Sequence, residues 1–158
     1  SSIPYINQLV EGVTVKIPNN DLSELYPEFQ NGAVVHLDDS NVTDYLHYRD
    51  TSREFSNEGR IQRQEAYITA YIEKFCEKAD KDPGAIWNRL DNMGDYILTS
   101  ITRNKYMELV NLLRTVSFSD QDFYRPTGED SQGELHDEFY IDREALLEKI
   151  VEIFYEEL

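Results

Sequence analysis

Ile68-Thr69-Ala70-Tyr71-Ile72-Glu73-Lys74-Phe75-Cys76-Glu77-Lys78-Ala79-Asp80-Lys81-Asp82-Pro83 is the stretch that sets the character of the chain. Ile68, Tyr71, Ile72, Phe75, Cys76 and Ala79 recur at i, i+3, i+4, i+7, i+8 and i+11. That spacing lays apolar side chains along one stripe of an α-helix, and it predicts a helix from about 58 to 81. Asp82-Pro83 ends it and starts another. Aspartate is a good N-cap, and proline suits the first helical position, where its missing N–H leaves no bond unmade. On the next helix Ile86, Leu90, Met93, Ile97 and Ile101 share a face, widened by Trp87 and Leu98. The pattern is interrupted near Thr102, and Tyr106, Leu109, Val110 and Leu113 then resume helical spacing.

Towards the N-terminus the period changes. Val13, Val15 and Ile17 alternate with polar residues in the manner of a half-buried strand, and Ala33 to Leu37 reads as a second one after the Asn31-Gly32 turn signal. Between them Asp21 is placed to cap a short helix that Pro27 limits, and the Asp38-Asp39-Ser40 break precedes another short helix reaching Tyr48. Towards the C-terminus, Pro126, Gly128 and Gly133 break all periodicity over 117–141, although Phe118, Phe123, Tyr124, Phe139 and Tyr140 call for packing, and Glu138 to Ile141 reads as a short strand. Asp142 then caps a last helix whose Leu146, Leu147, Ile150, Ile153, Phe154 and Leu158 are expected to face inward.

These elements predict an α+β fold, predominantly α: a helical core of about four helices with a small N-terminal β-hairpin or short sheet. A length of 158 residues fits one domain, 1–158, with a mixed part at 1–50, a helical core at 51–116, and an acidic loop plus helix at 117–158. The lone Cys76 allows no internal disulfide. With no recognisable signal peptide and no long apolar run, the chain reads as a cytoplasmic protein.

Charge is distributed unevenly. Residues 1–50 carry −6, residues 51–116 are neutral, and residues 117–158 set 13 carboxylates against Arg125, Arg143 and Lys149, which is −10 of the total −16. Within that last segment Glu144, Glu148, Glu152 and Glu156 recur every four residues. Four helical residues rise about 6 Å, a pitch comparable to the separation of successive phosphates on a DNA strand. Like charges at this spacing repel one another. The plain reading is the solvated face of an amphipathic helix. The functional reading is a carboxylate row that meets cations on another molecule. Asp137 and Glu138 extend the row, with Tyr140 and Tyr155 as aromatic anchors.

Other constellations are weaker. His36 with Asp38 and Asp39, or His136 with Asp137 and Glu138, offers an acid–base pair, but neither has the ligand spacing of a metal site. An EF-hand starting at Asp120 would put Arg125 where glycine is required. Cys76 lies on the apolar stripe, as a small hydrophobe does. The basic cluster Arg49, Arg53, Arg60 and Arg63 is interspersed with acids, which reads as mixed surface charge or as pairing with the acidic segment. No phosphate-binding loop or catalytic motif occurs.

The sequence therefore implies a non-enzymatic acidic protein, without cofactor or metal, that masks a basic site on a protein partner. The partner is expected to be a nuclease or nucleic-acid-binding protein, and the role either that of an immunity protein or antitoxin, or that of a nucleic-acid mimic. Direct nucleic-acid or membrane binding is not expected at this charge. The alternatives are a small enzyme working through carboxylates with His36 or His136, and a structural subunit of a larger assembly.

Overall fold

The computed structural model describes residues 2–50, 56–94, 98–134 and 137–155, with the side chains of Asp120 and Asp137 outside that description. A short helix, α1 (Ile3–Leu9), carries Pro4 in its first turn and ends in a tight turn where Glu11 and Gly12 both take positive φ, 64° and 80°. Only glycine serves at the second position, because a Cβ there would also meet His36 Nε2 and the Leu37 carbonyl at 2.6 Å. The turn delivers the chain into β1 (Val13–Lys16), antiparallel to β2 (Val34–Leu37), with Val13 opposite Leu37 and Lys16 opposite Val34. As the alternation predicts, Val13, Val15 and Ile17 point into the core. The connection between the strands makes a single helical turn near Leu22, not a helix, and buries Leu22 and Phe29. The short helix α2 (Val42–His47) follows.

The central helix α3 (Asn57–Lys81) runs about 37 Å at 1.5 Å per residue and packs against β1, α2, α4 and α5. Its buried face keeps most of the expected stripe, with Tyr71 and Phe75 packed against the core and Ala79 buried, and is extended by residues the pattern did not name. Arg63, Tyr67 and Ala79 are buried, whereas Ile68 is exposed. The Tyr67–Tyr71–Phe75 row lies under the sheet, and Cys76 is half-buried with its thiol pushed up by burial. The main core joins Val10, Val15, Leu37, Val42, Tyr45 and Tyr67, so it lies under the N-terminal third of the chain. A smaller cluster of Ala79, Ile86, Tyr106 and Val110 meets it at Phe75.

Asp82 caps α4 (Pro83–Asn92) as expected, accepting from Gly84 N and Ala85 N at 2.9 and 3.1 Å. The helix then stops short of the expected face. Met93 and Gly94 close it, Leu98 and Ile101 stand exposed, and Ile97 lies outside the described residues. Thr102 caps a new helix, α5 (Arg103–Leu113), through Lys105 N. After a 3-10 turn at Asp120–Asp122 come β3 (Gly128–Gln132), where no strand was expected, and β4 (Asp137–Ile141), the expected short strand, paired antiparallel. Asp142 caps α6 (Arg143–Phe154) through Glu144 N and Ala145 N, and Asp142 N donates to the Thr127 carbonyl at 2.8 Å. Six helices and two small antiparallel sheets among the described residues make an α+β, mainly helical fold.

Candidate functional site

The last helix departs most from expectation. None of its described residues is buried. Leu147, Ile150, Ile153 and Phe154, expected inside, are all exposed, Phe154 at 75%; Leu146 is only half-covered, and Leu158 lies outside the described residues. α6 follows β4 directly through its Asp142 cap, and the described residues supply no layer over its outer side. At about 100° per residue, Leu147, Ile150, Val151 and Phe154 form one strip. Glu144, Glu148 and Glu152 form the strip directly beside it.

Of the residues the sequence singles out, Glu144, Glu148 and Glu152 thus share one side of α6, and Glu138 and Tyr140 share one side of β4. Tyr140 is 61% exposed and donates from its hydroxyl to Glu138 Oε2 at 2.6 Å, a bond that raises the phenol's pKa. Tyr155, 67% exposed, follows α6 directly. Asp137 is placed only by its backbone in β4, and Glu156 and His136 lie outside the described residues. Glu152 pairs with Lys149 at 2.6 Å. Among the described residues, Glu144 and Glu148 form no ion pair.

Arg49, Arg60, Arg63 and Arg125 are engaged away from α6. Arg63, read from the sequence as surface charge, is 1% exposed: its Nε donates to the Tyr45 carbonyl at 2.8 Å, its Nη1 to Asp21 Oδ2 at 3.0 Å, and its Nη2 to the Tyr48 carbonyl. Burial lowers its pKa, and Asp21 opposes that shift. Arg60 donates to Asn57 and Arg49 to Ser56, while Arg53 lies outside the described residues. Arg125 turns towards α3, not the acidic segment. Its Nε donates to Glu65 Oε1 at 2.7 Å, its other nitrogens reach Glu65 and Glu58, and these bonds raise its pKa.

Arg125 closes one wall of a groove of about 670 Å3 between α3 and the hairpin. Ile61, Ile68, Phe139 and Ile141 supply its apolar surface. Glu58, Glu65, Asp130 and Glu138 also line it. The sequence reading missed this groove because β3 has no strand signature, so nothing indicated that Glu138 and Phe139 would be carried to α3.

The acid–base alternative finds less geometry. His36 is exposed on β2 with Thr14 Oγ1 at 3.3 Å from its Nδ1. The strand ends at Leu37, so Asp38 does not continue its face. Asp38 instead accepts from the Ser40 hydroxyl and N–H at 2.6 and 2.8 Å, which lowers its pKa. Among the described residues, no group of three or more His, Cys, Asp and Glu side chains is placed to hold a metal ion. None of the described helices is long and apolar enough to cross a membrane.

Neither the known protein families nor the curated proteins contain a match to this sequence. Among solved structures, the chain is similar to the Lin1025 protein from Listeria innocua, with a TM-score of 0.61 and 21% sequence identity. The likeness is one of fold. It extends over 97% of this chain but only 62% of that protein, so the chain spans less than two thirds of its neighbour's length.

Proposed function

We propose that the chain is a non-enzymatic binding module whose C-terminal face masks a basic site on a partner protein. The partner is of the nuclease or nucleic-acid-binding kind, and the setting is cytoplasmic, as for an immunity protein, an antitoxin or a nucleic-acid mimic. The observation that carries this reading is the pairing of two strips on α6. Solvation alone accounts for Glu144 and Glu148, but not for Leu147, Ile150, Val151 and Phe154 standing exposed beside them. Contiguous apolar surface with a charged border is the composition of a docking face. The carboxylates steer a cationic partner, accelerating association by about 10 to 10³-fold at low salt, and the apolar strip then excludes water from the contact.

The test uses a basic protein recovered at low salt from the native cell and then purified. Its affinity should fall at least about tenfold when Glu144 and Glu148 are both changed to lysine, and again on raising salt to about 0.5 M. Unchanged affinity in the reversed-charge variant refutes the reading.

One observation favours the structural-subunit alternative. Leu98, Leu112 and Val116 are also exposed, so self-assembly has surface available. Sedimentation at low and high salt separates the two: a chain carrying −16 that assembles through apolar contacts gains order with salt, whereas the electrostatic complex loses it.

A further inference from the structure

We propose that the groove between α3 and the β3–β4 hairpin receives an extended segment of the partner that carries an aliphatic or aromatic side chain beside a lysine or arginine. This rests on the binding-module reading and adds a second contact to it, continuous with the first through β4.

The groove's chemistry selects that occupant. Its apolar surface includes Ile68 and Phe139, exposed by 41% and 48%, so a purely polar segment would leave it wet. Glu58, Glu65 and Asp130, which lies opposite Phe139 and on its face, set three carboxylates against the single guanidinium of Arg125, which Glu58 and Glu65 already hold. Among the described residues, Asp130 forms no ion pair. A neutral segment would strip water from that carboxylate without replacing it, which is costly. An acidic segment, a nucleic acid or a second copy of this chain at −16 would be repelled. Arg125 ties the segment that carries it to α3 through Glu58 and Glu65.

The probe is an acetylated, amidated hexapeptide alternating lysine with leucine, compared with one in which serine replaces leucine and one in which glutamate replaces lysine. Amide shifts are followed by two-dimensional NMR as each is titrated. The lysine–leucine peptide should bind saturably and shift the amides of Ile61, Ile68 and Phe139, and neither control should. Ile68→Ala should weaken it roughly fivefold, the loss expected for truncating one partly buried aliphatic contact, without altering the thermal melt. Asp130→Asn should weaken it about threefold at low salt.

Shifts confined to α6, equal binding of the serine control, or unchanged affinity in Ile68→Ala overturn the groove. If the groove variants bind the purified basic partner as the wild type does while Glu148→Lys does not, the groove falls and the module stands. If Glu148→Lys binds that partner unchanged, the module reading falls whatever the peptide does.

Discussion

Replacing Arg63 tests how the N-terminal half is held to the central helix. Its guanidinium, 1% exposed, gathers the carbonyls of Tyr45 and Tyr48 at the C-terminal end of α2 and the carboxylate of Asp21 from the loop after β1. Two segments thus converge on one side chain of a third, α3. A planar cation at a helix C-terminus satisfies carbonyls that have no partner within the helix and complements the helix dipole. Arg63→Ala removes these bonds from the carbonyls of Tyr45 and Tyr48 and from the carboxylate of Asp21, which is 19% exposed. Breaking a buried pair from one side costs about 3–5 kcal/mol. For a domain of this size that is a fall in Tm of about 10–15 °C. Arg63→Lys keeps the charge but offers one nitrogen where three positions are served, so it should recover less than half of the loss. The assay is urea unfolding followed by far-ultraviolet circular dichroism and by Trp87 fluorescence, whose coincidence checks for a single transition. If Arg63→Ala loses less than about 1 kcal/mol with both probes still coincident, the guanidinium does not join the three segments and the reasoning fails.

Two further outcomes follow from the core and from the surface charge. Phe29 is fully buried between Tyr26 and Tyr45, with ring centroids 4.9 and 5.8 Å away, so Phe29→Ala should cost about 3–5 kcal/mol, whereas Phe154→Ala on the uncovered face of α6 should cost less than about 0.5; a loss above about 1 kcal/mol at Phe154 would mean that α6 is packed, not free. Glu11 is held down to about 2 from 4.5, first by its hydrogen bond from Arg89 and then by that from Lys78. Because its folded-state pKa is depressed, its contribution is complete above about pH 4.5 and disappears as the pH falls towards 2, so Glu11→Gln should be less stable than the wild type at neutral pH and indistinguishable from it at pH 2. A gap in urea midpoint that stays constant across that range would exclude the ion pairs as its source.

The legible parts of this fold are those with a local signal. Helix α3 announces itself by period, the α3–α4 break by Asp82-Pro83, and β1 by the alternation of Val13, Val15 and Ile17, because each signal acts on its own neighbours. What was lost depends on distant parts of the chain. The burial of Arg63, which hydropathy assigns to the surface, depends on Asp21 and the end of α2 as its partners. β3, Gly-Glu-Asp-Ser-Gln, has no strand propensity and is a strand because β4 pairs with it. Gly128 permits the pairing, since a Cβ there would meet the Tyr140 carbonyl at 2.3 Å. The candidate site was half legible. The spacing of Glu144, Glu148 and Glu152 was visible, but the exposure of the apolar strip beside them was not, since an amphipathic sequence does not state whether a layer exists for it to cover.

That distinction bears on what α6 can do alone. It has 12 residues, close to the length at which isolated helices are marginal in water. Its carboxylates repel at i, i+4, and Glu152 opposes the macrodipole near the C-terminal end. Against this stand the Asp142 cap, the bond from Asp142 N to the Thr127 carbonyl, and the Lys149–Glu152 pair. Tertiary packing, the usual source of helical stability, is missing on the strip of Leu147, Ile150, Val151 and Phe154. A partner with cations opposite Glu144 and Glu148 and apolar groups opposite that strip would relieve the repulsion and supply the missing layer in the same step. Binding energy and helix stability are then one quantity, and substitutions on the apolar strip that leave the free protein unchanged should weaken the complex.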